Sequence, residues 1–374
     1  MASFIDFLKS RQGPQGSLNN HHCTFLEQAY SEPPDMAAPS TIRAWQYTST
    51  KGGIENNLKL NTSAPLPEPK PNQHLVQVIA AALNPVDYKP AEVPFISRFL
   101  LPKPATPGID IAGVIVAPAA GSLLKPGQRV FGAAAKTPFA GGGLSEYTLV
   151  EKDHVIPIPD GVDPIDAAGV CVAGLTAYQS TGANAKKGDS VFINGGSGGT
   201  GVFGIQIAKA RGCHVVVTCS SANVELCKSL GADEALDYTK GPVLAQLIAS
   251  GHKFDRVVDN VGTDWNLYWK CHEYTKPGAE FIMVAGNVGL GFVSSVLKSK
   301  FWPGLLGGGK RKFASFWPDP RPQDMEQIGE WMQEGKVKLI IDQRFSFEQV
   351  PDAFKKLKTG RAKGKIVIEV NLKA

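Results

Sequence analysis

Residues 190–201 read Ser-Val-Phe-Ile-Asn-Gly-Gly-Ser-Gly-Gly-Thr-Gly. Gly196, Gly198 and Gly201 complete a G-x-G-x-x-G pattern, with Ser197, Gly199 and Thr200 between them. The pattern alone is weak evidence. Its context makes it physical, because an apolar strand precedes it and an amphipathic helix running to about Arg211 follows. One glycine permits the tight turn, one lets the backbone approach a pyrophosphate, and one lets helix and strand pack closely. The free N–H groups and partial positive charge at the helix start then suit phosphate oxygens. The stretch predicts the first βα unit of a dinucleotide-binding domain rather than an ordinary glycine-rich turn.

The end of the next strand, His214–Thr218, bears on which dinucleotide. An NAD-binding chain usually carries Asp or Glu roughly 20 residues beyond the loop, to hold the ribose 2′-hydroxyl. No acid stands between Asp189 and Glu225, and the strand tip reads Thr218-Cys219-Ser220-Ser221-Ala222-Asn223. Hydroxyls and a helix start can accept a 2′-phosphate that a carboxylate would repel. NADPH is therefore the expected cofactor, although no arginine stands at the tip.

Working outward, Asn223–Leu230 reads as a helix, and Phe254–Asp259 and Glu280–Ala285 as further strands with helical text between them. Alternating strand and helix predicts a doubly wound parallel sheet. Upstream, Asp166–Thr181 is Ala-rich and helical in pattern. From Thr41 to about Val155 the text changes to short β-type runs, such as Ile42–Tyr47 and His74–Ala80. Turn signals at Pro107-Gly108 and Pro126-Gly127 punctuate them. This is the pattern of a compact β-barrel. The chain ends on a strand at Leu339–Arg344, a helix at Phe347–Lys358 and a strand at Lys365–Val370, which should rejoin the barrel. The expected fold class is α/β, with a β-barrel domain over 41–165 and 340–374 and a Rossmann domain over 166–339. Residues 1–40 read as a disordered extension.

Composition narrows the function. The 374 residues carry a formal charge of +5, too little to propose nucleic acid. Six cysteines without C-x-x-C spacing read as reduced intracellular thiols, and no metal site is expected from them. Phe281–Leu297 is apolar but too short and interrupted to span a bilayer. The N-terminus has neither a secretory apolar core nor the Arg-rich, acid-poor character of a transit peptide, so a cytoplasmic protein is expected.

With these motifs in order, the chain resembles the medium-chain dehydrogenase/reductase superfamily, in its quinone oxidoreductase-like branch. The resemblance rests on Asn84-Pro85-Val86-Asp87-Tyr88-Lys89, Pro107-Gly108-Ile109-Asp110, Ala173-Gly174-Leu175-Thr176-Ala177 and the glycine loop. Leu230-Gly231-Ala232-Asp233, Asp259-Asn260-Val261-Gly262 and Gly360-Arg361-Ala362-Lys363-Gly364-Lys365 extend it to the end of the chain. It implies a GroES-like barrel and a Rossmann domain with a cleft between them. It also implies that Ser197, Gly199 and Thr200 contact the pyrophosphate, and that Ser220 and Tyr238, with Ser221, flank the 2′-phosphate. Thr176 and Asn260 should lie near the nicotinamide, Arg361, Ala362 and Lys363 should close over the cofactor, and Ala285 joins the binding set.

Zinc-dependent members carry Cys where this chain has Asn84, His at Ile109 and Cys at Ala173. Asn, Ile and Ala cannot replace thiolates and imidazole on Zn²⁺. Hydride transfer to an electron-poor C=C or quinone needs no such Lewis acid. The expected substrate is an apolar enone, enal or quinone, and a dedicated enoyl reductase of a secondary-metabolite pathway is the sibling reading. An NADPH-binding scaffold with little turnover is the alternative from a different class. For catalysis Asn84, Tyr88 and Lys89 are the candidates, as substrate-oxygen contact or proton donors, although Asn84 could serve only to shape a turn and Lys89 could be a solvated surface residue. The aromatic, basic segment 289–324 could line the pocket, lie on a membrane surface or form a homodimer contact.

Overall fold

The computed structural model describes residues 39–93, 99, 101–134, 142–183, 185–284, 294, 298–299, 309–315 and 318–371. The expected disordered extension lies outside the described residues apart from Pro39 and Ser40, as do Ala285 and much of 289–324.

The first half of the described chain is β-structure. β1 (Thr41–Gln46) pairs antiparallel with β2 (Lys59–Pro65). A second, larger sheet is organised by β3 (Gln73–Leu83), which has every residue after Gln73 buried. β4 (Asp110–Ala117) runs along one of its edges, β5 (Arg129–Ala133) follows β4, β6 (Tyr147–Glu151) pairs with Gln73–Gln77, and β7 (Val155–Pro157) pairs with β5. Register shifts between Val78 and Ala80 of β3 let the sheet bend, since a bulge sharpens local twist.

After Pro164 a parallel sheet begins. Its strands are β8 (Ser190–Asn194), β9 (His214–Cys219), β10 (Glu234–Asp237), β11 (Phe254–Asp259), β12 (Thr275–Met283) and β13 (Lys312–Ser315). They lie in the order β10-β9-β8-β11-β12-β13, so the order reverses between β8 and β11. A ligand crevice forms at such a switch point, beyond the carboxyl ends of the strands. Val191, Ile193, Val215 and Val217 pack into the core on one face, and Phe192 and Val216 into another on the opposite face. Burial on both faces is why these strands read as continuous apolar runs.

The chain then returns to the first sheet. β14 (Ile341–Ser346) pairs parallel with β15 (Lys365–Glu369), and β15 pairs antiparallel with Ala80–Leu83 of β3. One end of β3 thus meets β6 and the other meets the C-terminal strand.

Two local readings change. The helix expected over Asp166–Thr181 is divided into Pro164–Ala168 and Cys171–Ala177, followed by a π-turn over Tyr178–Gly182. Leu339 packs against the Cα of Gly169 at the break, where a Cβ would stand 2.6 Å from it. Within 289–324, Lys312–Ser315 is an edge strand. Phe313 stacks on Trp265 at 5.8 Å and meets Tyr268 edge-on at 4.9 Å. Ordinary core packing accounts for this part of the segment. Among the described residues no helix is long and apolar enough to cross a membrane.

Candidate active site

A cleft of about 1260 Å³ lies where residues of both large sheets meet, lined by Asn84, Lys89 and Thr176 together with the glycine loop. Three strand tips build the nucleotide side. Thr218 Oγ1 accepts from the Gly195 N–H at 2.8 Å and donates to Asn194 Oδ1 at 2.6 Å. Asn194 Nδ2 donates to Asp259 Oδ1 at 2.8 Å, and the same oxygen accepts from the N–H groups of Val261 and Gly262. This buried relay ties the ends of β8, β9 and β11 together and holds the glycine loop against them. Burial raises the Asp259 carboxyl above the usual carboxylate range, against these hydrogen bonds.

The loop turns into the Gly199–Ala210 helix at Gly198. A Cβ on Gly201 would lie 2.1 Å from Gly195 O, so the helix can enter this closely only on glycine. The first N–H groups of the helix have no intrahelical acceptor and face the cleft with a positive dipole end. Gly364 N donates to Ser197 O at 3.0 Å, which lays the 360–364 turn across the loop. Arg361, Ala362 and Lys363 line the cleft there, and the two cationic side chains have no ion-pair partner among the described residues.

Ser197, Gly198, Gly199, Thr200, Gly201, Ser220, Tyr238 and Asn260 also line the cleft. Gly196 supports from behind, donating its N–H to Thr218 O at 2.8 Å. Ser221 does not face the cleft, because its hydroxyl donates to Asp237 at the end of β10. Asn223 takes its place, with Nδ2 donating to Ser197 Oγ at 3.1 Å. Both polar atoms of the Asn260 carboxamide and Oδ1 of Asn223 are buried without a partner among the described residues. Buried polar groups are nearly always paired, so these three atoms are placed for a ligand. Orphan amides, a glycine cradle and a helix start fit a pyridine dinucleotide.

The opposite wall holds the polar groups of the barrel. Asn84 begins a short turn in which Asp87 Oδ2 accepts from the Asn84 N–H at 2.7 Å and Asp87 Oδ1 from the Ile109 N–H at 3.1 Å. Desolvation pushes the Asp87 carboxyl up to about 7 despite these bonds. Asn84 Nδ2 donates to Asp110 Oδ2 at 2.8 Å, and Asn84 Oδ1 accepts from Lys365 Nζ. Lys365 Nζ also donates to Leu83 O and Asp110 Oδ2, both at 3.1 Å, while Asp110 Oδ1 accepts from the Val172 N–H at 2.8 Å. Lys365 and Asp110 are buried, so this ion pair clasps β3, β4 and β15 at the cleft floor.

The three sequence candidates for catalysis therefore separate. Asn84 lines the cleft with its carboxamide committed to Asp110 and Lys365. Tyr88 does not line it; its ring packs under Lys358 Nζ at 5.5 Å. Lys89 lines it half-buried, with no ion-pair or hydrogen-bond partner for its ammonium among the described residues, and desolvation lowers its pKa. Lys365, Asp110, Asn194, Thr218 and Asn223 stand within motifs read from the sequence, but the sequence assigns none of them a role in the site. Lys365 closes the Gly360–Lys365 motif and opens the last strand, and nothing local links it to Asn84.

The zinc positions are Asn84, the buried Ile109 and the buried Ala173, with the Lys365 ammonium beside Asn84. Cys171 is nearby, but burial holds its thiol well above the ordinary range. These residues do not fit a catalytic zinc.

The families described as "Alcohol dehydrogenase GroES-like domain" and "Zinc-binding dehydrogenase" match residues 70–160 and 230–368. Over 348 residues the chain is 48% identical to a trans-enoyl reductase, pgmF, of Aspergillus terreus, covering 89% of this chain and 97% of the relative. It is 35% identical over 348 residues to the 2-methylene-furan-3-one reductase of Solanum lycopersicum, covering 89% and 80%. The structure of the quinone oxidoreductase from Coxiella burnetii superposes with a TM-score of 0.76 at 27% identity, covering 88% of this chain and 99% of that one.

Proposed function

This chain belongs to the medium-chain dehydrogenase/reductase superfamily, quinone oxidoreductase-like branch, and from that premise we propose that it reduces a conjugated C=C bond with NADPH. It is an oxidoreductase that uses a pyridine nucleotide to reduce enones or quinones. Within that class we favour an α,β-unsaturated carbonyl of the enoyl type. The 48% identity to a trans-enoyl reductase over nearly the whole of that relative supports this reading. The acid-free tip of β9, with Ser220 and Asn223 in the cleft and Arg361 and Lys363 above it, supports NADPH.

The observation that carries the mechanism is the half-buried Lys89 ammonium on the barrel wall of the cleft, without a partner among the described residues, where the neighbouring buried cation, Lys365, is fully committed. When bound, the reduced nicotinamide supplies a hydride to the carbon β to the carbonyl. Lys89 Nζ donates a hydrogen bond to the carbonyl oxygen, where negative charge accumulates as the C=C bond is reduced. Partial desolvation strengthens that interaction, and the enolate left by hydride addition is completed by a proton taken up at the carbon α to the carbonyl, from the Lys89 ammonium or from water that re-protonates it. Asn84, held by Lys365 and Asp110, fixes the start of the turn that carries Lys89, whose own N–H bonds Pro85 O at 2.9 Å. Leu83, Ile109, Val172 and Leu175 give the apolar wall that excludes water beside it.

The test is NADPH consumption with a quinone, a short enal, a long-chain enone and an enoyl thioester, with NADH in parallel. Turnover of the enone or enoyl class, with NADPH well above NADH, is expected. Saturable NADPH binding without turnover of any of them would overturn the reading and leave a nucleotide-binding scaffold. Equal rates with NADH would overturn the cofactor assignment alone.

A further inference from the structure

At the amino ends of the parallel strands, away from the nucleotide cleft, His214 opens β9, Glu234 opens β10 and His252 precedes β11. One donor atom from each lies within 4.8 Å of the other two, and all three side chains are partly exposed. Both imidazoles aim Nε2 at one carboxylate oxygen. His252 Nε2 is 2.9 Å from Glu234 Oε1, and His214 Nε2 is 3.9 Å from it.

We propose that His214, Glu234 and His252 form a binding site for a divalent transition-metal ion of the zinc type, leaving one position open to water. Zn–N and Zn–O distances of about 2.0–2.1 Å give a tetrahedron with edges of roughly 3.3 Å. The two observed Nε2–Oε1 distances straddle that edge, and the edge between the two histidines lies within 4.8 Å, so the rings close on an ion by small shifts about their side-chain torsions. The imidazole-rich donor set selects a borderline transition ion over Ca²⁺ or Mg²⁺, which take oxygen ligands.

A supporting carboxylate is already in place. His214 Nδ1 stands 3.5 Å from Asp233 Oδ2, which leaves Nε2 as the nitrogen nearer Glu234. Asp233 is anchored by Lys209 Nζ at 2.8 Å and the Val215 N–H at 2.7 Å, so it serves behind the ligand rather than as one. Metal-bound histidines commonly carry such a carboxylate on the second nitrogen. The histidine rings stand 5.7 Å apart at 47°, so each approaches Glu234 from its own side. The ion would join β9, β10 and the segment entering β11, well separated in sequence. This goes beyond the reductase reading and runs against the sequence expectation of no metal site.

The experiment titrates ZnCl₂, and separately CoCl₂, into the chelator-stripped full-length protein by calorimetry and absorption spectroscopy. One site per chain is expected, with the d–d bands of tetrahedral nitrogen- and oxygen-bound Co²⁺ and no thiolate charge-transfer band. His214→Gln and His252→Gln should each weaken binding at least tenfold, and the double variant should remove it while NADPH binding persists. Glu234→Gln should weaken it without disturbing the rings. Absence of saturable binding, its retention in the double variant, or a thiolate band would overturn the proposal.

Discussion

Asp87 and Lys89 stand two residues apart on one turn, and burial moves each toward its neutral form. The Asp87 carboxyl is carried up to about 7 and the Lys89 ammonium is lowered. Lys89→Met should lower kcat/KM about 10²-fold, the scale of losing one oxyanion donor, with the Kd for NADPH unchanged. Because the charged form is the active one, wild-type turnover should fall as pH rises through a pKa below that of free lysine. That limb should be absent in the variant, and a Lys89 with only a packing role would not move it. Asp87 gives a stability signature. Its folded pKa lies above its unfolded value, so its contribution is complete below about pH 4 and is lost as pH rises through about 7. Urea unfolding should therefore show the advantage of wild type over Asp87→Asn largest near pH 4.5 and smallest near pH 8; the reverse trend would contradict the assignment.

Among the elements, β9 and the glycine loop divide the work at the nucleotide side. The β9 tip presents Ser220 to the cleft, while Ser221 is drawn to Asp237. Ser220→Asp should raise the KM for NADPH at least tenfold and lower that for NADH, because the new carboxylate repels a 2′-phosphate and accepts from a 2′-hydroxyl. Loss of both activities together would instead point to a damaged loop. The loop was legible in the sequence because its requirement is local: a Cβ on residue 201 would stand 2.1 Å from Gly195 O, so only glycine fits there. Strand β13 was not legible. Four residues of aromatic and basic text become an edge strand only because β12 offers a free edge and Trp265, Tyr268 and Phe281 surround Phe313. The orientation of Ser221 was equally hidden, since its acceptor lies on another strand.

Across the whole molecule, the last strand completes the cleft floor through Lys365, Asp110 and Asn84. Breaking a buried pair from one side leaves an uncompensated charge, so Lys365→Met should cost about 3–5 kcal/mol of unfolding free energy. Adding Asp110→Asn should restore much of it, measured by denaturant titration; no recovery would mean that Lys365 acts through packing alone. The fold class, the order of motifs, the dinucleotide loop and the acid-free strand tip were determined by the sequence itself. Each depends on periodicity or on a steric demand met within a few residues. Tertiary structure alone decided that Asn84 is bound on both ends of its amide, that Tyr88 turns to Lys358, that Lys89 finds no partner among the described residues and that two histidines meet one glutamate. These depend on which side chains the two sheets bring within hydrogen-bond reach from positions as far apart as 84 and 365, a separation over which no local pattern carries information.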